Sequence, residues 1–219
     1  MVFLKLKFYI IYIKDRLIMQ LKEILKDIKI ARDNLKNVGK SATIFGSARF
    51  SEDNRYVKDA QKLCEGLADL GYSIITGGGG GIMQGANRGA FARARTHSVG
   101  FNIMLPFEQK SNGFLTQGAK FSAFAPRKGA LIENSEIFVI FPGGFGTLDE
   151  FFEILVLVQT GFKRARIYLY DEEFYAPLME FFHTSLLKSG AINESDLQNF
   201  KLCDSVDEIL TDVRTGENE

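Results

Sequence analysis

From residue 41 onward, short apolar runs alternate along the chain with stretches in which apolar positions recur at helical spacing. The apolar runs predict strands at residues 41–45, 72–76, 98–104, 120–124, 136–141 and 166–170. The periodic stretches predict helices at residues 54–70, 82–93, 127–134, 147–160, 174–188 and 206–213. Apolar strands that alternate with helices are typical of a parallel sheet covered on both faces. The pattern therefore predicts an α/β fold, a single doubly wound, Rossmann-like parallel sheet.

The first 40 residues are predicted to form a leader and a helix that pack on the domain of residues 41–219. Lys5 and Lys7 interrupt the apolar leader, and the uninterrupted stretch of residues 8–13 is too short for a signal core or a membrane span. The residues from Met19 onward have helical periodicity, and Met19 is also an alternative start. Since no other segment is apolar enough to cross a membrane, we expect a cytoplasmic protein without membrane contact.

Composition excludes several classes of function. The chain has 219 residues with 27 Lys+Arg and 27 Asp+Glu, and such a balance argues against broad nucleic-acid binding, which needs a basic face. Two cysteines, Cys64 and Cys203, cannot form a disulfide framework and fit a reducing compartment. With only His97 and His183 in addition, the sequence offers no zinc cluster, and we expect neither a metal nor a cofactor.

The glycines are clustered where predicted strands end. Three such loops are residues 46–49 (GSAR), 76–81 (TGGGGG) and 142–147 (PGGFGT). Ligands of open parallel sheets bind beyond the carboxyl ends of the strands, and glycine lets the backbone approach a ligand closely. A strand, glycine loop and helix in succession also direct free N–H groups and the helix dipole at an anion. Three loops of this kind indicate a phosphorylated ligand.

The loops match neither common nucleotide motif. No G-x-G-x-x-G follows the first strand, and the chain has no G-x-x-x-x-G-K-[ST], so dinucleotide binding and a P-loop NTPase are both disfavoured. The alternative is that the glycines only form tight turns and helix ends. A purely structural turn seldom needs so many glycines in a row.

Two polar motifs near the third loop have open interpretations. Thr147-x-x-Glu150 before an apolar helix fits a capping box, in which Glu150 reaches back to the Thr147 amide. Alternatively, Glu150 in the first helical turn faces a sugar while the loop amides hold its phosphate. Arg127 and Lys128, after Pro126, fit either a solvated helix face or a phosphate or carboxylate contact. The local sequence does not decide between them.

Together these residues resemble the Lonely Guy (LOG) family of phosphoribohydrolases, often mislabelled as lysine decarboxylases. The family's P-G-G-x-G-T-x-x-E motif is complete at residues 142–150, and its upstream Arg-Lys pair corresponds to Arg127 and Lys128. The F-x-x-R-K sequence at residues 124–128 is similar to that of the longer bacterial branch. The resemblance extends over most of the chain, from about residue 41 to residue 213.

The resemblance implies hydrolysis of the N-glycosidic bond of a purine nucleoside 5′-monophosphate, a cytokinin riboside monophosphate or AMP, to free base and ribose 5-phosphate. It implies that Arg127 and Glu150 are the catalytic pair. A carboxylate suits the positive charge that develops on ribose in glycosidic cleavage, and this scheme needs no metal. The residues expected to bind substrate are Ser47, Gly78, Gly79, Glu108, Lys128, Gly143, Gly144, Gly146 and Thr147, of which the last four form the phosphate cradle.

Two other functions fit parts of the sequence. A non-catalytic nucleotide or molybdenum-cofactor carrier has similar glycine loops, and fold alone does not fix function. A pyridoxal-phosphate lysine decarboxylase is disfavoured because the chain is short and no lysine suggests a Schiff base. A homodimer or a higher homo-oligomer is expected, and the apolar helix of residues 151–159 is predicted to be either a dimer seam or a fully buried central helix.

Overall fold

A seven-stranded parallel sheet forms the centre of the molecule, with strand order β4-β3-β2-β1-β5-β6-β7. The structure, a computed structural model, describes residues 2–104 and 110–216, with side chains from residue 17. The strands are β1 (Ser41–Phe45), β2 (Ser73–Thr76), β3 (Ser98–Ile103), β4 (Gln117–Phe121), β5 (Ser135–Ile140), β6 (Arg166–Tyr170) and β7 (Lys201–Cys203). This arrangement confirms the predicted single doubly wound, Rossmann-like sheet.

Helices cover both faces of the sheet. They are α1 (Val2–Leu35), α2 (Arg55–Asp69), α3 (Ile82–Arg93), α4 (Phe124–Ile132), α5 (Phe145–Gln159), α6 (Glu172–Phe181) and α7 (Val206–Thr215), with a π-helical turn at Phe182–Leu187 and a 3₁₀ turn at Glu194–Asn199. Buried apolar side chains of α2, α3 and α7 fill the core on one face, and those of α1, α4, α5 and α6 fill the core on the other. Burial on both faces explains why the central strands are continuously apolar.

Three predictions were wrong in position. The strand expected at residues 120–124 is β4 at Gln117–Phe121, an edge strand in which half-buried and exposed positions alternate up to the buried Phe121. Helix α4 starts at Phe124 rather than at Arg127, and α5 starts at Phe145 rather than at Thr147. The short edge strand β7 was not predicted, since three residues carry too little apolar pattern.

The N-terminal region is one long helix, α1, which packs on the main domain through its C-terminal half. Ala31, Leu35 and Val38 are buried there in the core shared with α4 and α5. Leu21 and Leu25 lie on its exposed face. In the ranges that the structure describes, no helix combines the length and apolar character needed to cross a bilayer.

Candidate active site

The three glycine loops lie side by side because the strands that precede them are neighbours. Strand β1 pairs with β2 on one side and with β5 on the other, so their carboxyl ends meet at one edge of the sheet. The chain runs from β1 toward β4 in one direction and from β5 toward β7 in the other. The loops therefore lie at the topological switch point, where open α/β sheets bind ligands.

Backbone hydrogen bonds of Ser47 join the first loop to the other two. The Ser47 amide donates to the Pro142 carbonyl at 3.1 Å, and the Ser47 carbonyl accepts from the Ile82 amide at 3.0 Å. The Ser47 hydroxyl accepts from the Arg49 amide at 3.1 Å. Ser47 thus links the first loop to the third loop and to the end of the second, chiefly through its backbone.

The second loop needs glycine for conformation and for space. Gly78 and Gly81 have φ of +70° and +61°, which other residues rarely adopt. A Cβ on Gly81 would also collide with the Ser47 carbonyl oxygen. Gly78 and Gly79 are buried, and their carbonyls accept hydrogen bonds from the backbone and side-chain amides of Asn112 at 2.9 and 3.0 Å. This loop is therefore a fixed structure.

The third loop leads directly into α5 and has the geometry of an anion site. Gly144 occupies the N-cap position without a side-chain cap, and α5 begins with Phe145. Gly144 and Gly146 are exposed, with open space where a Cβ would lie. Thr147 is buried, and its Oγ1 fills the space that a Cβ on Gly143 would need. Uncapped amides at a helix N-terminus favour a negatively charged group.

The capping-box interpretation of Thr147 and Glu150 is wrong. Because α5 starts at Phe145, Thr147 lies inside the first turn and Glu150 in the second, too far along for the reciprocal cap. Glu150 instead forms an ion pair with Arg127, whose Nη1 lies 3.3 Å from the Glu150 Oε1.

Arg127 joins three parts of the site. Its Nε donates to the carbonyl of Phe101 in β3 at 2.7 Å, and its Nη1 donates to Glu150. Its guanidinium also lies against Gly77, where an added Cβ would come within 2.5 Å of an Nη. The side chain is only 11% exposed, which rules out a solvated helix face for Arg127.

Glu150 is the acidic group at the centre of the site. Its side chain is 14% exposed. Burial raises the pKa of the Glu150 carboxyl from its ordinary 4.5 to about 7, and the Arg127 guanidinium opposes part of that rise. A carboxyl with a pKa near neutrality can take up or release a proton at physiological pH.

Lys128 is held by carboxylates rather than free at the surface. Its Nζ lies 2.6 Å from Glu153 Oε2 and 3.1 Å from Asp149 Oδ2. The Glu153 carboxylate, followed by that of Asp149, raises the pKa of Lys128. The structure thus assigns Lys128 a contact with α5, and its predicted contact with substrate stays a prediction.

One further candidate cannot be placed in the site. Glu108 lies outside the described residues. Within the described ranges, no three His, Cys, Asp or Glu side chains are grouped so that they could hold a metal ion. The Phe101 carbonyl and Asn112 were missed by sequence reasoning, because a backbone acceptor and an isolated loop asparagine carry no recognisable pattern.

The glycine loops at the switch point and the buried Arg127–Glu150 pair define a Rossmann-like protein with an acid at its candidate site. A family model described as "possible lysine decarboxylase" matches residues 83–213, more than half of the chain. The chain belongs to this family, the LOG family.

Two curated relatives are similar over most of their length. A probable cytokinin riboside 5′-monophosphate phosphoribohydrolase of Oryza sativa subsp. japonica is 25% identical over 171 residues, covering 77% of this chain and 74% of that protein. The cytokinin riboside 5′-monophosphate phosphoribohydrolase of Rhodococcoides fascians is 24% identical over 184 residues, covering 80% of this chain and 90% of that protein.

Solved structures with the same fold include molybdenum-cofactor proteins. The molybdenum cofactor carrier protein of Chlamydomonas reinhardtii has a TM-score of 0.57 and 19% identity, covering 83% of this chain and 99% of that chain. The molybdenum cofactor binding protein of Rippkaea orientalis has a TM-score of 0.58 and 14% identity, covering 81% and 96%. At this level of identity the likeness shows the fold alone.

Proposed function

We propose that this protein hydrolyses the N-glycosidic bond of a purine nucleoside 5′-monophosphate, a cytokinin riboside monophosphate or AMP. The products are the free base and ribose 5-phosphate. The observation that carries this proposal is the buried Glu150, held by Arg127 at 3.3 Å beside the open amides of the third glycine loop. The names of the curated relatives support the same class of reaction.

The geometry suits glycosidic cleavage. As the bond between C1′ and the base nitrogen breaks, positive charge develops on the ribose, and a nearby carboxylate stabilises that charge. In the proposed reaction the ionised Glu150 also takes a proton from the water that attacks C1′. The departing base nitrogen gains one proton in return, so that the water is divided between a hydroxyl on C1′ and a hydrogen on the base. Arg127 holds the Glu150 carboxylate in place through its hydrogen bond.

The same site disfavours the second candidate function. A carrier of a nucleotide or of molybdenum cofactor needs the glycine loops but has no use for a buried acid that an arginine holds at the centre of the site. Burying a charged pair is costly, so its presence here supports a chemical role.

The direct test is incubation of the purified protein with AMP and, separately, with isopentenyladenosine 5′-monophosphate. We expect chromatography to detect the free base and ribose 5-phosphate in equal amounts from at least one of the two. Tight binding of nucleotide without any product would contradict the proposal and favour a carrier.

The 5′-phosphate should be essential for efficient cleavage. We expect kcat/KM for AMP to exceed that for adenosine by on the order of a hundredfold or more, because contacts to the phosphate hold the ribose against Glu150. Parallel assays of the two compounds measure the ratio. Equal rates for both would show that the uncapped start of α5 does not bind the phosphate.

We propose further that the protein is a homodimer that buries the outer face of α5. The fully buried alternative for this helix is wrong, since Val156 is 51% exposed and Phe152 is 38% exposed. These two side chains border an apolar groove whose other walls include Phe182, Leu186 and Phe200. An apolar groove of this kind is typical of an interface between chains.

The dimer prediction is tested by light scattering coupled to gel filtration. We expect the wild type to have twice the mass of one chain, and Val156→Glu to have the mass of one, because the substitution places a charge in the apolar seam. Leu25→Glu, on the exposed face of α1, serves as the matched control and should leave the mass unchanged. A monomeric wild type would contradict the prediction.

A further inference from the structure

Asp27 is a buried acid of α1 that faces the start of another helix. Asp27 as a whole residue is only 4% exposed. A single oxygen, Oδ2, accepts hydrogen bonds from the Ser122 amide at 2.7 Å, the Ser122 hydroxyl at 2.8 Å and the Ala123 amide at 3.2 Å. Buried carboxylates are rare unless they are fully hydrogen-bonded, and this one contacts the two residues that precede α4.

Helix α4 has no cap of its own. Its N-cap residue is Ala123, which makes no side-chain cap hydrogen bond. Asp27 supplies, from a distant part of the chain, a hydrogen-bond acceptor for the amides of Ser122 and Ala123 at the start of α4.

The same helix carries Arg127 within its first turns. Arg127 must reach the Phe101 carbonyl at 2.7 Å and Glu150 at 3.3 Å simultaneously. Both bonds depend on where α4 begins, since Arg127 follows the capped segment by only a few residues. At its other end α4 is tied to α1 by the Asn134 side-chain amide, which donates to the Leu35 carbonyl at 3.2 Å.

We propose that Asp27 is a positioning residue that fixes the start of α4 and so holds the Arg127 guanidinium on Glu150. Its role in catalysis rests on the proposed hydrolase function. Because hydrogen bonds weaken steeply with distance and angle, a small movement of α4 would separate Arg127 from Glu150. On this proposal, helix α1 helps to position the Arg127 side chain in the candidate site.

The test compares Asp27→Ala with Asp27→Asn. Asparagine keeps an acceptor oxygen that can still bind the start of α4, so we expect Asp27→Asn to stay within about threefold of the wild-type kcat. Asp27→Ala should lower kcat by about tenfold or more with little change in KM, since a misplaced group affects the chemical step more than binding. Asn134→Ala is the matched control, because it removes the α1 contact at the far end of α4 and should leave kcat unchanged.

A second measurement does not depend on turnover. The carboxyl groups of ¹³C-labelled glutamate are titrated by NMR, and the Glu150 signal is assigned by its loss in Glu150→Gln. Arg127 and Lys128 of α4 and Asp149 of α5 are the charged groups that act on Glu150, and Arg127 lowers its pKa most. Displacement of Arg127 should therefore raise the pKa of Glu150 in Asp27→Ala, but not in Asp27→Asn or Asn134→Ala.

The outcomes separate the two proposals. If the wild type cleaves no nucleotide, the hydrolase function fails, while the NMR titration still decides the role of Asp27. An unchanged pKa of Glu150 in Asp27→Ala, or an equal change in Asp27→Asn, would overturn the positioning role. If Asp27→Ala does not fold by circular dichroism, Asp27→Leu, which has the same branched shape and cannot accept a hydrogen bond, is measured in its place with the same criteria.

Discussion

Glu150→Gln is expected to lower kcat for nucleotide hydrolysis by about a thousandfold, within the range that a positioned acid or base contributes. Glutamine keeps the shape of the side chain and can still accept the hydrogen bond from Arg127. It cannot carry the negative charge that stabilises the ribose cation, nor can it take a proton from water. Since the proposed phosphate site at the start of α5 is untouched, KM should change far less than kcat.

Initial rates of base release with AMP or isopentenyladenosine 5′-monophosphate measure this loss. Glu180→Gln provides a matched control, because it makes the same chemical change at an exposed position on α6. Full activity of Glu150→Gln would show that another group stabilises the transition state.

The pH dependence of the wild type follows from the same residue. In the proposed reaction Glu150 acts in its ionised form, and burial raises its pKa to about 7. The value of kcat/KM should therefore rise as pH increases through about 7 and then level off. A rate that stayed constant from pH 5 to pH 9 would be inconsistent with Glu150 as the base.

The second large effect is on stability. Between pH 4 and pH 8, the free energy of unfolding of the wild type should fall by about 3 kcal/mol relative to that of Glu150→Gln, given the rise of the Glu150 pKa from 4.5 to about 7. The folded state holds the proton more tightly than the unfolded state. The stabilisation that comes from this tighter proton binding is therefore complete below pH 4.5 and is lost as pH rises through about 7.

Urea unfolding of both proteins at several pH values measures this difference. Comparing the change with pH, rather than stability at one pH, removes any constant effect of replacing a carboxylate beside Arg127. Glu180→Gln should follow the wild type throughout. Parallel stability curves for the wild type and Glu150→Gln would mean that burial does not disfavour the charged form of Glu150.

The parts of the fold that sequence reasoning found are those with a strong local pattern. Continuous apolar runs marked the buried strands β1, β5 and β6, and helical periodicity marked α3 with its observed bounds. The two edge strands gave a weak signal. Strand β4 is not continuously apolar, and β7 has only three residues. Helix starts were misplaced where glycine or alanine, instead of a polar cap, precedes the helix.

The candidate site shows the same division. The glycine loops were visible in the sequence, because backbone conformation and close approach demand that residue type. The sequence did not show whether Glu150 forms a capping box or an ion pair, because the ion pair depends on a residue of another helix. Contacts such as that between Asp27 and Ser122 join residues far apart in the chain, and no local pattern records them.

The placement of Ser47 has a consequence for how such a site can diverge. Its amide and its carbonyl bind the third and second loops respectively, so the width of the gap between those loops is fixed by peptide geometry and not by any side chain. Substitutions at this position can change local polarity but cannot widen or narrow the opening. Differences in the size of the ligand that such a site accepts are then expected at its periphery, where side chains are free to vary.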